Sequence, residues 1–148
     1  MIYDELKAKG LVEEVAQDFH QPTHLMSMAQ KDLKTAQALV GTDREWAYTI
    51  AAHAILRAAG ALTLAEGLRP KGREQGRTLL HLAGLLMGED RSLVNDLDQI
   101  RKKGQRFLER ADRPISLYEV ESTLRVAEKF LGVVAKRVYS KDPQRNLL

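Results

Sequence analysis

The segment from Asp43 to Glu66 constrains this chain most. Trp46, Ala47, Ile50, Ala51, Ala54, Ile55, Ala58, Ala61, Leu62 and Ala65 recur along it at helical spacings, yet they cover nearly every side of a helix. A helix that is apolar all round belongs in the middle of its protein, and its alanines let neighbouring helices come close. Thr42 with Glu45 three residues later has the spacing of a capping box, and Gly67 with Pro70 beyond it marks the end. His53 and Arg57 interrupt the apolar run, and the chain opens with Asp4 and Glu5, not with a basic and then an apolar region. Neither a membrane span nor a signal peptide is expected.

The remaining pattern is helical too. Leu and Ala number 22 and 17 against 9 Val and 5 Ile, an excess of helix formers over the β-branched residues that strands prefer. Leu117, Val120, Leu124, Ala127, Leu131, Val134 and Val138 alternate spacings of three and four, behind Pro114 and a capping box of Ser116 and Glu119. Leu25, Met28, Ala29, Leu33, Ala36 and Leu39 draw an earlier stripe that begins after Pro22 and stops at Gly41, with Met26 adding little. A fourth helix is expected from Glu74 to Met87, stopping at Gly88. A fifth carries Leu93, Leu97, Ile100, Gly104 and Phe107 on one face. Gly104 inside that helix loses about 1 kcal/mol relative to Ala, so it either admits a close neighbour or is merely tolerated.

The expected fold is all-α, an antiparallel bundle of four to five main helices with a short N-terminal helix. Residues 1–22 read as an N-terminal helix or arm, within which residues 2–18 would form a frayed helix, 23–139 as the bundle and 140–148 as a flexible tail. The 148 residues suffice for one domain. With no cysteine, disulfides, thiolate metal sites and a Cys nucleophile are excluded, and a cytoplasmic protein without cofactor is expected.

Charge is segregated. Segments 69–77 and 101–113 together hold ten basic and three acidic side chains, net +7, while the rest of the chain is net −4. On the fifth helix Lys103, Arg106 and Arg110 fall along one flank of the apolar stripe and Arg101 on the other, so cations bracket it. One reading is a solvated face whose side chains snorkel over the core; the other is phosphate binding. Phe107 is the one aromatic among these cations and the pattern gives it to the core, so backbone electrostatics is expected rather than base stacking.

Other chemistry finds little support. GREQGRT, from Gly72 to Thr78, lacks the Lys of a phosphate loop, is one residue short and follows a helix. His20 and His24 have metal-pair spacing, but Pro22 between them argues for a loop pair. His53 and His81 each stand one turn from an arginine, Arg57 and Arg77, and read as packed or interface groups. Asp96 and Asp98 do not share a helix face, so no carboxylate pair suggests general acid and base.

The order of segments LMSMAQKDLKTAQALV, WAYTIAAHAILRAAGALTLAEGLRP, EQGRTLLHLAGLL, LVNDLDQIRKKGQRFLER and ISLYEVESTLRVAEKFLGVVAKRV resembles the HEPN family over residues 23–139. The resemblance rests on the Ala-rich helix ending in Gly67 to Pro70, on Asp98-x-x-Arg101 and on the closing amphipathic helix. It implies a small all-α domain named for nucleotide binding, and a homodimer in whose cleft an Arg, with a His or polar partner four to six residues on, cuts RNA. Arg101 matches that Arg. Where relatives carry His or Asn and then Tyr, this chain has Gly104, Gln105 and Glu109, and Gly76 stands where relatives often have His.

Gln105 hydrogen-bonds but does not shuttle a proton near neutral pH, so a non-catalytic member is expected. The resemblance also implies toxin–antitoxin or defence-type modules with a minimal nucleotidyltransferase partner that modifies the Tyr. Glu109 in its place removes that target. The leading expectation is nucleotide or RNA-phosphate binding, or docking of that partner, through Arg101, Lys103, Arg106, Arg73 and Arg77. The rivals are a metal-independent ribonuclease using Arg101 and Gln105, with the proton from His81 or a dimer-related group, and a protein-interaction scaffold.

Overall fold

A computed structural model describes residues 3–88, 91–109 and 114–142. Its elements run α1 (Asp4–Ala8), β1 (Val12–Glu14), α2 (His20–Leu39), α3 (Arg44–Ala65), β2 (Leu68–Pro70), α4 (Gln75–Met87), α5 (Arg91–Glu109) and α6 (Leu117–Ser140). The architecture is the all-α bundle with a short N-terminal helix, plus one small sheet. α3 is its axis and touches α2, α4, α5 and α6. Ala47, Ala51, Ala54, Ala58, Ala61 and Ala65 are fully covered, as a helix apolar on every side requires. By length and composition α3 would cross a membrane, but most of that surface is buried inside the bundle.

Caps and stripes differ from expectation in detail. The side chain that caps α3 is Asp43, which accepts from the Trp46 N–H at 3.0 Å, one residue beyond Thr42. At α6 Ser116 accepts from the Glu119 N–H at 3.1 Å, but the Glu119 carboxylate turns away to Lys103, so half of the capping box forms. Leu117, first of the α6 stripe, is exposed, while Phe130 and Ala135 join its buried face.

α2 starts at His20, where Asp18 accepts from the His20 N–H at 2.9 Å. Pro22 lies in its first turn, where N–H groups have no helical partner to lose. His20 and His24 are therefore helical, not in a loop, and both are exposed. Met26, expected to add little, is completely buried, and Leu25 and Met28 lie at the rim.

The N-terminal arm contains a strand where a frayed helix over 2–18 was expected. β1 pairs antiparallel with β2, Glu13 opposite Arg69. Leu6, Val12, Leu68 and Leu82 form a satellite core beneath the pair. Gly67 turns the chain from α3 into β2 at φ +72°, where a Cβ would press on the Val15 carbonyl at 3.2 Å. Ser140, Lys141 and Asp142, expected within a flexible tail over 140–148, are instead held against the bundle. Ser140 closes α6, Lys141 pairs with Glu66 at 2.7 Å, and Asp142 accepts from the Thr23 hydroxyl at 3.3 Å. Residues 143–148 lie outside those described.

Candidate phosphate site on α5

The apolar stripe of α5 fixes everything around it. Leu97 and Ile100 are buried, and Gly104 lies so close to α3 that a Cβ there would stand 2.9 Å from the Ala52 Cβ and 3.7 Å from the Thr49 Cα. The glycine therefore admits a close neighbour. Beyond it, the Phe107 ring meets the buried Tyr48 ring edge-on at 5.6 Å. The contacts Gly104 to Ala52 and Phe107 to Tyr48 show that α3 and α5 run antiparallel.

With the stripe held, Arg101 falls on the flank facing α4 and Lys103 on the opposite flank. Arg101 lies across the first turn of α4, where a Cβ on Gly76 would come within 2.9 Å of its Cδ. Its Nε donates to Asp98 Oδ1 at 2.8 Å, with the two side chains only 18% and 13% exposed. Lys102 Nζ stands 3.5 Å from the other Asp98 oxygen. Arg101 is thus pinned by a floor without a side chain and by a largely buried carboxylate, which fixes the direction of its guanidinium.

Arg101 walls a cavity of about 510 Å³ between α3 and α5. Gln105 and Glu109 line it one and two turns further along α5, and the Gln105 amide donates to Glu109 at 3.1 Å. Across from them α3 contributes a row at alternating spacings of three and four: Trp46, Thr49, His53 and Leu56. Asp98 faces a second groove, of about 440 Å³, between α4 and α5, where Arg77, His81 and Lys102 meet. The Arg101–Asp98 pair separates the two.

The five expected binding cations are therefore not one patch. Arg101 and Arg77 border neighbouring hollows, although Arg77 also stands 3.7 Å from Glu74. Lys103 turns inward to Glu119 of α6 and lies 5.9 Å from the Tyr48 ring centroid. It points away from the cavity, which it does not line. Arg106 is exposed on the outer side of α5, beside Gln99 and Lys102, and Arg73 is exposed in the loop before α4. Arg69, in the first basic segment, is held by Glu13 across the strands with Nε to Oε1 at 2.9 Å. That contact holds the Glu13 carboxyl below its ordinary range. Arg110 and Arg113 lie outside the described residues.

Three residues at these hollows escaped the sequence reading. Trp46 is 47% exposed and stands in the Arg101 cavity. His53 shares that cavity, whereas His81 lines the other groove. Lys102 reaches the site that Lys103 does not. The signal for the first two was the spacing 46, 49, 53 and 56, obscured by the alanines around it. Among the described residues no group of three His, Asp or Glu side chains is placed to hold a metal ion. No family model matches this chain, and no curated protein or solved structure matches it either.

Proposed function

We propose that this chain is a HEPN-like helical bundle that binds RNA phosphate at Arg101 without cleaving the strand. The observation that carries the reading is the pinned guanidinium. An arginine fixed through Nε by Asp98, across Gly76, keeps its remaining N–H groups in a set direction at the wall of an open cavity, and that is what recognition of a phosphate needs. Lys102 and Arg77 in the adjoining groove add charge along the path of a polyanion. Gln105, the cavity residue at the polar-partner spacing from Arg101, has no proton to exchange near neutral pH.

The test is a titration of labelled single-stranded RNA with the full chain at two salt concentrations, on one gel that reports retardation and cleavage. Retardation that weakens with salt, is reduced in Arg101→Gln and is unchanged in Arg69→Gln supports the reading. The first variant keeps a stem over Gly76; the second alters a cation held by Glu13 away from the cavity. Equal retardation in all three proteins overturns it.

One observation favours a second reading. His53 lines the Arg101 cavity, so an imidazole stands in the same hollow as the proposed phosphate-binding group. In a ribonuclease the RNA 2′-hydroxyl would give its proton to a water molecule as its oxygen attacks phosphorus, the bond to the 5′-oxygen would break to leave a 2′,3′-cyclic phosphate, and His53 would donate a proton to that leaving oxygen. Cleavage on the same gel that is lost in both His53→Gln and Arg101→Gln selects this reading.

A further inference from the structure

We infer that the Arg101 cavity takes an unpaired nucleobase on the Trp46 ring, so that its ligand is a short single-stranded oligonucleotide. The inference rests on the phosphate-binding reading and names the ligand that the rest of the cavity fits. Trp46 sits in the first turn of α3, where Asp43 fixes its backbone N–H, and the residue is about half exposed and lines the cavity. Leu56 and Leu108 supply apolar surface, while Gln105 and Glu109 place an amide and an acceptor-only carboxylate along one edge. An aromatic plane with apolar sides and hydrogen-bonding groups at its edge is the environment of a stacked base. The volume, about 510 Å³, lies within the usual range for small-ligand pockets.

Orientation follows from the antiparallel packing of α3 and α5. Tyr48 meets Phe107, so Trp46 lies toward the Leu108 and Glu109 end of the cavity, with Arg101 at the other. Leu108 is two turns beyond Arg101, about 10 Å along the helix at 1.5 Å per residue. A base on Trp46 is then farther from Arg101 than a base stands from its own phosphate. The ring and the guanidinium engage neighbouring nucleotides of one strand. Glu109 repels phosphate from the Trp46 end and accepts from a base N–H, which sets the same direction. A duplex is excluded because its bases are already stacked and paired.

Trp46 is the one tryptophan of the sequence, so tryptophan emission reports this cavity alone. The full chain is titrated with short oligoadenylate, with the same strand annealed to its complement, and with an abasic strand carrying the same phosphates. Oligoadenylate should quench the emission and bind about ten-fold more weakly to Trp46→Leu, with Trp46→Tyr retaining most of the affinity in the gel assay. The abasic strand should bind the wild type and Trp46→Leu equally and leave the emission unmoved. If oligoadenylate binds no better than the abasic strand, or the duplex binds as well, the base site is refuted while phosphate binding stands. If no strand binds, both readings fall. Emission that shifts with protein concentration alone would show a second copy of the chain covering Trp46, and would overturn the inference.

Discussion

Replacing Gly104 by alanine sets two effects of opposite sign against each other, and the structure decides between them. In a helix interior the change gains about 1 kcal/mol of propensity. At this position the new Cβ would stand 2.9 Å from the Ala52 Cβ. Carbons pack at about 3.5–4.0 Å, so α5 would have to move away from α3 by about 1 Å. Neither partner has a flexible end that could swing aside, and overpacking of this kind costs about 1–3 kcal/mol. The expected net loss is about 1 kcal/mol, or 2–4 °C in Tm for a chain of this size. Removing the obstacle should reverse the sign. In an Ala52→Gly background Gly104→Ala should stabilise by about 1 kcal/mol, giving a coupling of about 2 kcal/mol in a double-mutant cycle read by urea unfolding. Gly60→Ala and Gly132→Ala, where a Cβ meets nothing within 4 Å, are the controls and should each stabilise by about 0.5–1 kcal/mol. A Gly104→Ala protein as stable as these controls, or a coupling near zero, would refute the close approach of α5 to α3.

Asp43→Ala should destabilise by about 1 kcal/mol through loss of the α3 cap, and Thr42→Ala by a few tenths at most; comparison of the two Tm values checks which residue is the cap. Burial pushes the Tyr48 phenol up to about 12 from its ordinary 10.0, so between those values the unfolded chain ionises first and stability falls as pH rises, by about 2–3 kcal/mol in full. Urea unfolding at low and high alkaline pH should show that fall shrinking in Tyr48→Phe; an equal fall in both proteins would refute this. If Arg101, Arg77 and Lys102 are the phosphate contacts, log K against log salt should have a slope of about −2 for single strands, whereas engagement of all ten cations in the two basic segments would give about −7.

What the sequence made legible was whatever is settled within a few turns of chain. The α6 stripe from Val120 onward, the Ser116 cap and the left-handed Gly88 after α4 depend on neighbours three or four residues away, and each stands where local spacing puts it. β1 was not legible. Three residues are too few to show a period of two, and what holds them is β2, whose residues lie 54 or more positions later. The site was half legible for the same reason. Charge counted by segment puts Arg69, Lys103 and Arg101 in one class, yet their partners come from β1, from α6 and from the preceding turn of α5. All three carboxylates, Glu13, Glu119 and Asp98, belong to the acidic remainder of the chain, so folding returns part of the segregated charge to its opposite. Among the described residues the cavity keeps one Lys or Arg, Arg101, with the Trp46 ring of α3 toward its other end. On the proposed reading, recognition there would depend on the placement of Arg101 and Trp46 more than on the total positive charge.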